Sequence, residues 1–209
     1  FVNKDYANSR GITLSLEQEI ASDGLINIEY TFQVAEGSNS NPDEEFASTQ
    51  SNAEPTREMT ALDWDQRHTI NGVISMNLIG NRVTLLGRYG SGYPYTPSYG
   101  VSTRTGLTAN TGLAENSRLK PATFEMDLKV SRSIHIAGMK FETTLNVNNL
   151  LDTRNATSVH TDTGRPDYSG RLQSQIDRVY ALNTVGEYIK YPTWYSSPRE
   201  ILLGVNYSF

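Results

Sequence analysis

From Phe124 to Ile136 the side chains alternate with a period of two. Phe124, Met126, Leu128, Val130, Ile134 and Ile136 are apolar, and Glu125, Asp127, Lys129, Ser131, Ser133 and His135 between them are polar. Only Arg132 interrupts the apolar series. A helix, with about 3.6 residues per turn, would scatter these side chains around its axis. A strand sorts them onto two faces, one greasy and one wet. The same pattern returns at the end of the chain, where Ile201, Leu203, Val205, Tyr207 and Phe209 alternate with Leu202, Gly204, Asn206 and Ser208. It also returns as Ile26, Ile28, Tyr30, Phe32 and Val34 against Asn27, Glu29, Thr31 and Gln33. Counting every such stretch gives seven expected strands, at about 11–20, 25–35, 64–78, 82–92, 121–136, 140–149 and 198–209.

The connections are as informative as the strands. Tight turns around 21–24, 79–81 and 137–139 alternate with long loops at 36–62, 93–120 and 150–197. Structureless loops beyond ~15 residues are uncommon inside compact domains. In an antiparallel series all three long loops fall at one end and all the short turns at the other. Within the third loop, Leu172, Ile176, Val179 and Tyr180 have helical spacing and predict a turn or two of helix. The expected polar face carries Glu17, Glu29, Arg67, Arg88, Asp127, Lys129 and Glu142. Isolated charges in the dry core of a sandwich would cost several kcal/mol each, a cost that a wet or plugged lumen removes. Alternating strands, short turns at one rim and long loops at the other are the layout of an outer-membrane barrel. The expected fold is therefore all-β: a transmembrane antiparallel β-barrel of which this chain forms about the last seven strands, lying in a bacterial outer membrane. Strand-end aromatics such as Trp64, Tyr89, Tyr93, Tyr207 and Phe209 stand where interface girdles belong.

Composition is consistent with this and excludes other classes. Mean hydropathy is −0.48 and no window approaches about 18 consecutive apolar residues, so no spanning helix is expected. Alternation leaves average hydropathy low even where a strand crosses lipid. A net charge of −5 without a basic block argues against nucleic acid as a partner. With no cysteine, disulfides and thiolate metal sites are absent. The chain opens in mid-pattern at Phe1, without an initiator Met or signal peptide, and reads as a fragment or a processed product.

Chemical candidates are sparse. Asp63, Asp65, Arg67 and His68 lie close in sequence, but alternation turns Asp65 and Arg67 inward as lumen polar residues and His68 outward. The three histidines, His68, His135 and His160, belong to separate elements, so neither a catalytic nor a metal site is expected. The run 87–92, G-R-Y-G-S-G, lacks the Lys and following helix of a phosphate loop and reads as a rim with crowded backbone. Asp162, Asp167 and Asp177 lack EF-hand spacing and read as solvated acids. Asn155-Ala156-Thr157 matches a glycosylation triplet by chance. Loop aromatics remain as ligand-binding candidates: Tyr93, Tyr95 and Tyr99 in the second loop, and Tyr191, Trp194 and Tyr195 in the third. Such rings can stack on a sugar or pack on a peptide, and serve equally as girdle or loop packing.

Several motifs carry a resemblance. They are L-D-W-D-Q-R-H-T-I-N-G at 62–72, G-R-Y-G-S-G-Y-P-Y-T-P at 87–97 and F-E-T-T-L-N-V-N-N-L-L-D-T-R-N-A at 141–156. T-D-T-G-R-P at 161–166 and S-P-R-E-I-L-L-G-V-N-Y-S-F at 197–209 complete the set. In these the chain resembles the C-terminal portion of a TonB-dependent outer-membrane receptor, of the kind with a carboxypeptidase-regulatory-like N-terminal extension. The motifs cover most of residues 62–209, while residues 1–35 match only in strand pattern. The resemblance implies a barrel of about 22 strands, an N-terminal plug domain absent from this sequence, and TonB acting on an N-terminal box. It further implies that Tyr207 and Phe209 mark the closing strand for the outer-membrane assembly machinery. The expected function is active import of a scarce or bulky substrate captured by the extracellular loops. Lipid, the assembly machinery, TonB and surface lipoproteins or other outer-membrane proteins would be its partners, with no cofactor and no enzymatic activity. Two alternatives stay open: a structural or assembly component of an outer-membrane complex, and a small autonomous barrel or porin. The poor alternation of residues 1–10 counts against the second.

Overall fold

The computed structural model describes residues 6–20, 23–38, 50, 58–98, 114–136, 139–172 and 184–208. Seven long strands form one antiparallel sheet in chain order. They are β1 (Ala7–Ile20), β2 (Gly24–Gly37), β4 (His68–Leu78), β5 (Asn81–Gly90), β8 (Thr123–Ile136), β9 (Met139–Asn148) and β10 (Glu200–Ser208). Short strands mark the roots of two long loops: β3 (Thr60–Ala61) pairs with β2, and β6 (Pro94–Tyr95) pairs with β7 (Arg118–Leu119). Helix is sparse among the described residues: residues 50 and 170–172 are helical, α1 (Val185–Ile189) is capped by a Thr184–Glu187 capping box, and a 3-10 turn spans Pro192–Trp194. The helical spacing expected at 172–180 lies almost wholly outside the described residues. Among the described residues no helix is long and apolar enough to cross a membrane, which bears on helices alone.

The register aligns the alternating side chains into rows that run across the sheet. Ile26, Ile74, Leu85, Leu128, Val147 and Ile201 are successive partners on β2, β4, β5, β8, β9 and β10. The next row is Met76, Val83, Val130, Leu145 and Leu203. Toward the loops a ring-rich row reads Leu14, Tyr30, Ile70, Tyr89 and Phe124. One residue away along each strand lies the polar face, with rows such as Ser15, Glu29, Asn71, Arg88 and Glu125. A slip of one residue at any strand pair would mix the two faces, so the alternation itself fixes the register.

No second layer covers either face among the described residues. The buried apolar residues are Ala35, Leu62, Val147 and Ile189, too few and too scattered for a core. Large apolar side chains on the strands stay exposed, Leu203 at 78% being an example. β1 and β10 stand at the two ends of the strand order, so the described sheet is open.

Strand limits shift where backbone pairing and side-chain pattern part company. β1 begins at Ala7, before the expected Gly11, because Ala7–Arg10 find partners in Val34–Gly37 whatever their side chains. β4 begins at His68, not at 64, and the chain from 62 to 67 turns across the end of β2 instead of continuing as strand. At the opposite end the two-residue turn Ile79-Gly80 has both residues at positive φ, +51° and +75°, as a type I′ hairpin requires. Gly80 adopts this freely, whereas a β-branched Ile there is strained, and Ile79 is 95% exposed.

Candidate functional site

The three long loops leave the sheet as zipped stalks, and side chains rather than backbone do much of the zipping. In the first, Leu62 donates its N–H to the Ala35 carbonyl and Gln33 donates to Arg67 O. Between these bonds the ladder is broken, and Asp65 fills the gap: its Oδ1 accepts the Ala35 N–H at 2.8 Å and its Oδ2 accepts from Arg67 Nε at 3.1 Å. Asp65 is 1% exposed. It is not the solvated lumen acid that alternation alone implies, because the strand does not extend to it. His68, on the apolar side, meets the Tyr30 hydroxyl through Nδ1 at 2.9 Å and packs against Phe32.

The second stalk is held by Pro94–Leu119 and Tyr95–Arg118 pairing and by the Lys120 N–H on the Tyr93 carbonyl. Gly92 lies so close to Lys120 that an added Cβ would sit 1.6 Å from its carbonyl oxygen, and Gly90 is crowded by Gln66, whereas a Cβ at Gly87 would meet nothing. Asn116 ties this stalk to the first, donating from Nδ2 to Ala61 O and Asp63 Oδ1.

Asparagines organise the third stalk. Beyond the end of β9, the upper part of β8 lacks a strand partner on its β9 side, and the Asn155 carboxamide replaces one. Its Oδ1 accepts the Phe124 N–H at 2.9 Å and its Nδ2 donates to the Phe124 carbonyl at 2.8 Å. Asn149 bonds Thr153 through both ends of its amide and also donates to Ser197 O. Asp152 accepts the Arg199 N–H, and Ala156 bridges Tyr195. The motif residues of 62–72 and 149–156 are thus occupied in building the loop bases.

The described members of the six candidate loop aromatics have different surroundings. Trp194 packs on Tyr191 at 4.5 Å and on His160 at 4.6 Å, between ring centroids. His160 is buried and its Nε2 lies 3.1 Å from the Ile189 carbonyl, a geometry in which Nε2–H donates. Tyr195 is half-buried in the bridge to Ala156. The Tyr95 hydroxyl lies against Gly164, where the backbone has φ +70° and an added Cβ would collide with the ring. Tyr99 lies outside the described residues. Tyr93 stands apart: 40% exposed, its hydroxyl donates to Gln66 Oε1 and its ring edges a hollow of about 300 Å³ on the polar face. Among the described residues no ring contact joins Tyr93 or Tyr95 to Trp194 or Tyr195. At the turn end, Tyr207 donates to Met139 Sδ and packs on Phe141 at 5.3 Å, while Phe209 lies outside the described residues.

The acids of the third loop have protein partners. Burial pushes the Asp162 carboxyl up, but hydrogen bonds from the Arg171 N–H and the Ser169 hydroxyl outweigh it and hold the group below its ordinary value. The hydrogen bonds from Arg165 hold Asp167 low, and the same contact raises Arg165. Asp177 lies outside the described residues. Among the described residues no group of three His, Asp or Glu is placed to hold a metal ion.

Below Tyr93 the hollow is lined on the sheet by Thr69, Asn71, Arg88, Thr123 and Glu125. Arg88 bonds Asp127 at 2.7 Å and approaches Glu125 at 3.4 Å, so it is already neutralised. Sequence reasoning found Tyr93 and missed the rest, although Thr69, Asn71 and Thr123 lie on the polar face of their strands. No family model, curated protein or solved structure matches the chain.

Proposed function

We propose that this chain is part of the wall of an outer-membrane β-barrel of the TonB-dependent receptor type, which imports a scarce or bulky substrate caught by its surface loops. The supporting observation is the opposition of the two faces. Aliphatic rows run from β2 to β10 on one side with no second layer upon them among the described residues, and Arg88, Glu125, Asp127 and Lys129 occupy the other. Covering an aliphatic side chain with hydrocarbon is worth about 1.5–3 kcal/mol, so lipid on that face and water on the other satisfies both. In this reading the tight turns are periplasmic and the three stalks extracellular. The free edges of β1 and β10 would pair with further strands toward a total of about 22, since each unpaired backbone group in lipid costs several kcal/mol. TonB, the assembly machinery, and surface lipoproteins seated on the stalks would be its partners.

The test is expression in a Gram-negative host. The whole barrel that contains this segment should co-fractionate with the outer membrane, resist carbonate extraction, and migrate differently on gels before and after boiling. Heat-modifiable migration of these seven strands alone would instead favour the small autonomous barrel. Recovery in the soluble fraction as a folded species would refute the proposal.

A further inference from the structure

The hollow beneath Tyr93 has a chemistry that selects its occupant. Several of its polar groups are already committed to the protein. Gln66 donates to Ser91 O and accepts from Tyr93, and both arms of the Asn155 amide serve the Phe124 backbone. These side chains form walls. Among the described residues, the side chains of Thr69, Asn71 and Thr123 carry no hydrogen bond, and Glu125 makes only the long contact to Arg88. Two hydroxyls and a carboxamide both donate and accept, so their best counterparts are ligand groups that also do both.

An anion does not suit the site. Its one cation, Arg88, faces two carboxylates, which leaves the trio with a net charge of about −1 at neutral pH. A hydrocarbon would strip water from hydroxyls and an amide and return no hydrogen bond. The exposed Tyr93 ring at the edge supplies a flat apolar platform for a ligand with a C–H face. The volume, about 300 Å³, is at the lower limit of small-molecule sites and suits one or two rings.

We infer that this hollow, formed by Thr69, Asn71, Thr123 and Glu125 under Tyr93, binds a neutral polyhydroxylated ring such as a sugar unit. The inference rests on the capture reading and deepens it by naming a ligand class and a place on the sheet wall. Glu125 and Asn71 accept and donate at the ring hydroxyls, and Tyr93 covers the opposite face of the ring. Arg88 holds the Glu125 side of the hollow in place.

The test uses the protein extracted from membranes in detergent, titrated with methyl glucoside, methyl galactoside and methyl xyloside. Methyl phosphate and choline serve as the anionic and cationic controls. At least one glycoside should bind. Asn71→Leu and Tyr93→Ala should each weaken that binding about tenfold, while Lys129→Gln, lower on the same face, should not change it. Gel migration before boiling would show that each variant is folded. The inference is overturned if no glycoside binds the folded protein, if binding survives both substitutions, or if either control binds better. Failure here would leave the membrane location standing, because that location is read from the opposite face.

Discussion

On one side of the sheet, Ile26, Ile74, Leu85, Leu128, Val147 and Ile201 lie in register with no second layer above them among the described residues. One residue along, the other side presents Ser75, Thr84, Lys129 and Asn146 in a row that Leu25 and Leu202 flank. Both rows use the same backbone hydrogen bonds, so the ladder cannot explain why they differ. The solvent can. A water-soluble sheet hides its apolar rows under a second layer, and here the described residues supply none. The polar rows carry the paired charges and the hollow, while among the described residues the apolar rows carry the Tyr30–His68 bond near the loops and the Tyr207–Met139 contact at the turn end. The apolar face is built for its surroundings and the polar face for specific contacts.

The sharpest way to break this comparison is to put a charge on each face of one strand. Leu128→Arg should destabilise the inserted protein by about 2–4 kcal/mol, as a cation near the bilayer midplane does, while Ser133→Arg on the polar face, opposite Glu142, should be close to neutral. The boiled-against-unboiled gel shift across a denaturant series measures both. Equal effects would mean that the two faces meet the same medium.

A second test moves to the loop end. Asp65→Ala leaves the buried Ala35 N–H without its acceptor and should cost about 1–3 kcal/mol, whereas Asp65→Asn keeps an oxygen there and should cost less. Hydrogen exchange at Ala35 separates the two. At the turn end the sign reverses. Ile79→Asn relieves a β-branched residue at positive φ and should stabilise the β4–β5 hairpin by about 1 kcal/mol, read from denaturant midpoints.

The smallest effect is in the third loop. Asp162 and Asp167 have folded-state pKa values below the ordinary 3.8, so their contribution is present above that value and fades as pH falls through the lower one. In a Trp64→Phe background, Trp194 fluorescence should hold from neutral pH to about 4 and change below it. The Arg165–Asp167 part, being exposed, should weaken with salt.

Much of this contrast is legible in the sequence, because a period of two states which residues share a face and needs no tertiary information. That is why Glu125, Asp127 and Lys129 separate cleanly from Met126, Leu128 and Val130. The stalks are less legible. Asp65 and Asn155 act as substitutes for backbone partners, and nothing in a short polar side chain distinguishes that role from solvation. Asp65 even falls inside the alternating stretch expected at 64–78, and Asn155 inside the long loop expected at 150–197. Tyr95 and Trp194 mislead for a related reason. An aromatic in a polar loop looks free, yet Gly164 and His160 have made room for these rings. The early start of β1 is invisible because Ala7–Arg10 do not alternate and pair chiefly through backbone, with one long Arg10–Glu36 ion pair.

The most direct test of the two-face account uses the absence of native cysteine. Single cysteines placed in turn from Phe124 to Val130 on β8, in the protein as inserted in outer membranes, would be exposed to a water-soluble maleimide. The account predicts labelling with a period of two: Glu125, Asp127 and Lys129 positions react, and Phe124, Met126, Leu128 and Val130 positions do so only after detergent is added. Uniform labelling along the strand, or labelling of the apolar positions in intact membranes, would contradict it.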